Sequence, residues 1–142
     1  MFRNPSSEQI AALLRRVKTI AVVGLSADRT RPSHGVARAM QRFGYRIIPV
    51  TPMAESILGE AAVDMLDQVA DVLGAGERID IVDVFRRPVH VPGIVADCIR
   101  LKLPALWLQE GVIDAAAAER AAHAGIFTVM DRCIFRDRAA LR

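Results

Sequence analysis

Five short runs constrain this chain more than anything else in it. Residues 19–23, 46–50, 79–84, 105–108 and 127–130 are almost unbroken in apolar side chains, and each pair of neighbours is far enough apart to hold a helix. A strand with one wet face alternates apolar and polar residues, whereas a strand covered on both faces has no need to. Apolar strands separated by helices predict an α/β fold: a Rossmann-like, doubly wound, mainly parallel five-stranded sheet with helices on both faces, in a single domain. Ligands of such sheets lie beyond the carboxyl ends of the strands. The search for a site thereby contracts to five loops, 24–33, 51–57, 85–91, 109–113 and 131–133.

The spacers carry helical signals. Ser6 and Gln9, behind Pro5, stand in capping-box spacing and open a helix over 7–16. Over 33–43, Val36, Met40 and Phe43 share one face while Arg38, Gln41 and Arg42 share the other, with Ser33 placed as the cap and Gly44 as the stop. Further helices are predicted over 61–73, over 92–102 with Ile94, Val95, Cys98 and Ile99 as its buried stripe, over an alanine-rich stretch capped by Asp114 and closed by Gly125, and over 134–142. No linker or repeat divides the 142 residues, so the chain reads as an N-terminal helix (1–17), a core (18–134) and a C-terminal helix or tail (135–142).

Composition narrows the function classes. With 52% apolar residues the chain can bury roughly 70% of its unfolded surface and needs neither metal nor disulfide as a staple. Nineteen basic against 16 acidic residues give +3, which suits an anionic ligand but is no nucleic-acid footprint by itself. A nucleic-acid reading would rest on Arg132, Arg136, Arg138 and Arg142 alone, and is not adopted. No apolar run reaches the ~18 residues of a membrane span, and the first residues lack a signal-peptide pattern. The expectation is a cytoplasmic protein without a membrane partner, with Cys98 and Cys133 as separate thiols.

The loop 24–33 offers a glycine, hydroxyls, two arginines and a helix start, a combination that favours a phosphate. It is neither G-x-G-x-x-G nor a Walker A sequence, and Pro49-Val50-Thr51-Pro52 supplies no acid for a ribose hydroxyl, so a nicotinamide dehydrogenase and an ATPase are both disfavoured. Arg86 and Arg87 directly follow a strand, and because consecutive side chains diverge at least one should face the cleft. Asp83, Asp131 and Glu110 are read as structural: Asp83 paired with Arg86 or Arg132, Asp131 capping the terminal helix, Glu110 anchoring its own loop. His34, His90 and His123 show no metal-ligand spacing and are read as surface or capping residues. Trp107 is assigned to the core.

Together the loops resemble a known family, the small stand-alone CoA-binding domain proteins related to the N-terminal CoA-binding domain of the succinyl-CoA synthetase alpha subunit. The resemblance runs from Lys18 to Ile134. It is carried by Ile20-Ala21-Val22-Val23-Gly24-Leu25-Ser26, Arg31-Pro32-Ser33, Tyr45-Arg46-Ile47-Ile48-Pro49-Val50, Ile57-Leu58-Gly59-Glu60, Val82-Asp83-Val84-Phe85-Arg86-Arg87, Trp107-Leu108-Gln109-Glu110-Gly111 and Met130-Asp131-Arg132-Cys133. It implies a module that holds coenzyme A at the carboxyl edge of the sheet. Gly24, Leu25, Ser26 and Ala27, with Arg29, Arg31 and Ser33, would surround the phosphates. Val50, Thr51 and Pro52 would line the cleft, Val84, Phe85, Arg86 and Arg87 would border the adenosine, and Leu108, Gln109, Glu110 and Gly111 would meet the other side of the ligand.

One departure stands out: family members commonly carry a Lys or Arg just after the second strand's proline, where this chain has Met53 and Ala54. Cys133 completes the candidate set: next to Arg132 and a helix start its thiol could form a mixed disulfide with CoA under oxidation, and the alternative is a buried, inert cysteine. The reading is therefore a non-catalytic binder of CoA or an acyl-CoA, with a protein partner and a homodimer left open. The alternative is an NAD(P)-binding oxidoreductase or redox regulator on the same fold.

Overall fold

The computed structural model describes residues 1–142. Strands β1 (Thr19–Val23), β2 (Arg46–Val50), β5 (Ile81–Val84), β6 (Ala105–Leu108) and β7 (Phe127–Met130) form one sheet in the order β2-β1-β5-β6-β7, with every pairing parallel. Alternation along the strands sorts the core into two layers. Ala21, Val23, Val82, Val84, Leu106 and Leu108 belong to a 19-residue cluster with side chains of α3 (Val91–Arg100) and α4 (Ala115–His123). Ile20, Val22, Ile81, Trp107 and Val129 belong to a 16-residue cluster with those of α1 (Ser7–Arg16), α2 (Pro32–Arg42) and α5 (Ile134–Ala139). Burial on both faces is why the strands read as unbroken apolar runs.

The strand order reverses between β1 and β5. The chain leaves β1 through α2 on one face, and leaves β5 through α3 on the other, so the two connections diverge and open a crevice at their carboxyl ends. Local signals hold the helices in place. The Ser6–Gln9 capping box forms in both directions (2.8 and 3.1 Å), and the Asp114 side chain caps α4 by accepting the Ala117 N–H at 3.0 Å.

Five predicted features come out differently. The expected helix over 61–73 is instead a short hairpin, β3 (Ser56–Ile57) with β4 (Glu60–Ala61), followed by a 3₁₀ segment (Leu66–Val72). Leu58 and Gly59 both adopt positive φ at the hairpin turn, and the Thr51 and Val63 N–H groups donate to Val63 and Pro49 carbonyls, so this stretch extends along the sheet edge. Leu66, Val69 and Val72 recur every third residue, the period of a 3₁₀ helix, and they pack on the larger cluster. The third main strand starts at Ile81, because Asp80 turns its carboxylate to the Lys18 and Thr19 N–H groups at 2.9 and 3.0 Å. Arg31, without a side-chain bond, occupies the cap of α2, and Pro32 opens the helix. The terminal helix stops at Ala139, and Ile99, assigned to a buried stripe, is exposed.

Candidate functional site

Gly24 begins the site. Its N–H donates to the Val50 carbonyl at 3.0 Å, its φ is +85°, and a Cβ there would stand 2.3 Å from the Phe85 carbonyl oxygen and 2.8 Å from Arg86 Cδ. The loops after β1 and β5 therefore touch at a point that admits no side chain. From there the loop is wound by its own hydroxyls and carboxylate. Ser33 Oγ accepts the Ser26 N–H at 3.0 Å, Ser26 Oγ accepts the Asp28 N–H at 3.0 Å, and Asp28 Oδ1 accepts both the N–H and the hydroxyl of Thr30 at 2.9 and 2.7 Å. The Thr30 bonds hold the Asp28 carboxyl below its usual range. Ser33 thus braces the loop, a different task from the capping predicted for it.

A cleft of about 600 Å³ opens beyond the carboxyl ends of β1, β5 and β6. Gly24, Ser26, Arg31, Ser33, Phe85, Arg86, Arg87, Gln109, Glu110, Gly111 and Cys133 line it, joined by Pro32, Val36, Pro88 and Val112, which sequence reasoning did not single out. Val36 was legible in principle, one helical turn beyond Ser33; the others lie inside or beside loops already implicated. A groove of about 510 Å³ between α1 and α5 is comparable in size, but of the five carboxyl-edge loops it meets only the last, at Arg132, and it contains none of the predicted site residues.

The remaining candidates fall elsewhere. Leu25, Val50, Val84 and Leu108 are buried in the two core layers. Thr51 is buried and its Oγ1 accepts the Met53 N–H, while Ala27, Arg29 and Pro52 are exposed outside the cleft. The exit of β2 misses the cleft because β2 is the edge strand on the far side of β1, and its extension is engaged with Val63.

The cleft is cationic. Arg31, Arg86 and Arg87 line it and none of them forms a salt bridge. The amino end of α2 carries no acidic residue in its first turn, so its partial positive charge adds to theirs. His90 behind them is held below its ordinary range, first by loss of hydration and then by Arg86 and Arg87. Guanidinium forks and the positive end of a helix together suit phosphate oxygens.

The carboxylates named from sequence take other positions. Asp83 pairs with neither Arg86 nor Arg132; it is buried in β5 with Oδ1 unpartnered, and burial pushes its carboxyl well above the ordinary range despite the Val84 N–H. Asp131, at φ +61°, accepts the Gly111 N–H at 2.8 Å and ties the β6 and β7 loops together rather than capping α5. Glu110 pairs with Arg136 at 2.7 Å rather than with its own loop. Arg132 is engaged by Asp137 at 2.7 Å and so lends Cys133 no free charge. Trp107 is wholly buried and donates Nε1–H to the Arg132 carbonyl at 2.8 Å, as a core residue. His34, expected at the surface or in a cap, is buried beneath the first turn of α2. No three His, Cys, Asp or Glu side chains group to hold a metal, and no helix is long and apolar enough to cross a membrane.

These features define a class, the small doubly wound α/β domain whose cationic cleft lies where the strand order reverses. Within that class the family can be stated. A model of the CoA-binding domain matches residues 18–138, and the chain belongs to that family. It is 40% identical over 132 residues to the YneT protein of Bacillus subtilis, covering 93% of each chain. Among solved structures, the ID.343 protein of Thermus thermophilus superposes with a TM-score of 0.85 at 34% identity over 95% of this chain and 98% of that one. A protein from Pyrococcus horikoshii superposes with 0.86 at 28% identity over 99% of this chain and 97% of that one.

Proposed function

We propose that this protein binds coenzyme A or an acyl-CoA in the carboxyl-edge cleft and holds it without turnover, in the cytoplasm, as a sensor or carrier for a partner. The observation that carries the reading is the convergence of Arg31, Arg86 and Arg87, all without intramolecular ion pairs, on the amino end of α2 in one cleft. CoA presents a pyrophosphate and a 3′-phosphate, which together need more than one cationic contact. Gly24 lets the loops after β1 and β5 close on each other at the floor of the cleft, Ser26 and Ser33 offer hydroxyls, and the half-buried Phe85 and Val36 offer apolar surface to the adenine or the arm.

Calorimetric titration of the ligand-stripped protein with CoA, dephospho-CoA and NAD tests this directly. Saturable binding of CoA is expected, with dephospho-CoA weaker by about tenfold or more through loss of charge-assisted bonds to the 3′-phosphate, and with NAD silent. Binding of NAD with no response to CoA would overturn the reading in favour of an oxidoreductase.

A further inference from the structure

The cleft holds one reactive side chain that ligand binding alone leaves unused. Cys133 follows β7, is half-buried, and lines the cleft beside Gln109. Gln109 is 4% exposed, and its Oε1 accepts the N–H of Ile134, the residue after Cys133, at 3.0 Å. Its Nε2 has no partner within the protein, so a buried carboxamide offers free donors into the cleft next to the thiol. The pantetheine arm of CoA carries two amide carbonyls that could accept them, and it ends in sulfur.

Distance assigns the two ends of the ligand. Gln109 at the end of β6 holds the residue after Cys133, which sets the thiol at the β6 side of the cleft, two strands or ~10 Å from the loop after β1 at ~4.8 Å per strand. Phosphates held by the loop after β1 leave that far side of the cleft, with Cys133, to the other end of the ligand.

Resting on the CoA reading of this cleft, we propose that Cys133 is a thiol–disulfide exchange site for disulfides of CoA. The Cys133 thiolate attacks the CoA sulfur of a bound CoA–S–S–R, the S–S bond breaks, Cys133–S–S–CoA forms, and R–S⁻ leaves as the free thiolate, with R a second CoA or another small thiol. The disulfide substrate is itself the oxidant, so no further redox partner is required. Cys98 cannot resolve the adduct. It is wholly buried in the core layer that includes α3 and α4, with its thiol pushed up to about 12 by burial. The mixed disulfide therefore persists, one CoA per chain, until an external thiol attacks it.

The test incubates the reduced full-length chain with CoA disulfide and, in parallel, with glutathione disulfide, then blocks free thiols and reads intact mass and peptide map. A mass gain of one CoA less two hydrogens is expected on the peptide that contains Cys133, removable by dithiothreitol, and formed about tenfold or more faster than the glutathione adduct. Excess adenosine 3′,5′-bisphosphate should slow it, Cys133→Ser should carry no adduct, and Cys98→Ala should keep it. A protein that binds CoA calorimetrically yet stays unmodified, is modified on Cys98, or reacts equally fast with glutathione disulfide overturns the exchange and leaves binding standing. Calorimetric silence toward CoA overturns both.

Discussion

Two sets of arginines occupy this molecule, and they differ in what satisfies them. Arg132, Arg136 and Arg138 each have an acceptor supplied by the chain: Asp137 at 2.7 Å, Glu110 at 2.7 Å and the Tyr45 hydroxyl at 2.9 Å. Arg138 also lies over the Phe43 ring at 4.4 Å. Arg31, Arg86 and Arg87 form no salt bridge. The first set fastens α5 to α2 and to the β6 loop, while the second leaves its donors to whatever enters the cleft. In the linear chain the first set is the denser basic cluster and invites a nucleic-acid reading; folding spends it internally, and the sparser set becomes the electrostatic feature of the site.

The comparison can be broken at several points. The largest effect is expected from Gly24→Ala, which places a Cβ against the Phe85 carbonyl exactly where the free set is anchored to the sheet. Left-handed backbone alone costs about 1–2 kcal/mol for an L-residue. With the clash added, a fall in Tm of about 10 °C or more is expected by scanning calorimetry, together with loss of the CoA heat.

Arg86→Ala should act on the ligand alone. One charge-assisted contact is worth about 1.5–3 kcal/mol, so CoA affinity should fall by about tenfold or more while Tm stays within about 2 °C. An unchanged affinity would mean that the unpaired arginines are merely solvated.

Asp83 is the converse case, a buried carboxyl without a cation. Because burial raises its value in the folded chain above the unfolded 3.8, the folded state holds this proton more tightly. That contribution to stability is full below the unfolded value and is lost as pH rises through the folded one. Asp83→Asn, which cannot ionise, should therefore gain on the natural chain by about 4 °C in Tm as pH is raised from about 5 to about 8. Parallel melting curves of the two proteins would sink the idea.

The smallest effect belongs to Arg132→Ala. Its ion pair is partly exposed and worth about 1 kcal/mol or less, so a modest drop in thermal stability is expected with CoA affinity within about twofold of the natural chain. A loss of affinity as large as that of Arg86→Ala would dissolve the distinction between the two sets.

Legibility from sequence followed the range of the interactions. The strand cores were readable because burial on both faces leaves no polar alternation, and the capping box of Ser6 and Gln9 and the cap at Asp114 were readable because their partners lie three residues away. The segment 61–73 misled because its apolar residues allow a helix, whereas the edge of β2 recruits Val63 through backbone bonds and leaves only a three-residue period to pack. In the site, eleven of the predicted residues share the cleft. Val50, Thr51 and Pro52 do not, since residues at the end of any strand look equivalent until the strand order is known.

What the residues determined by themselves was a parallel sheet buried on both sides and, with it, the edge at which a ligand must sit; apolar continuity and local capping are written in neighbouring positions. Only the tertiary structure decided which side chains at that edge remain available. Whether Arg132 meets Asp137, whether Asp83 finds a cation, and whether Gln109 keeps a donor beside Cys133 depend on groups brought together from distant loops. A charge or a thiol has a function in this protein only after the fold has settled what else is within reach of it.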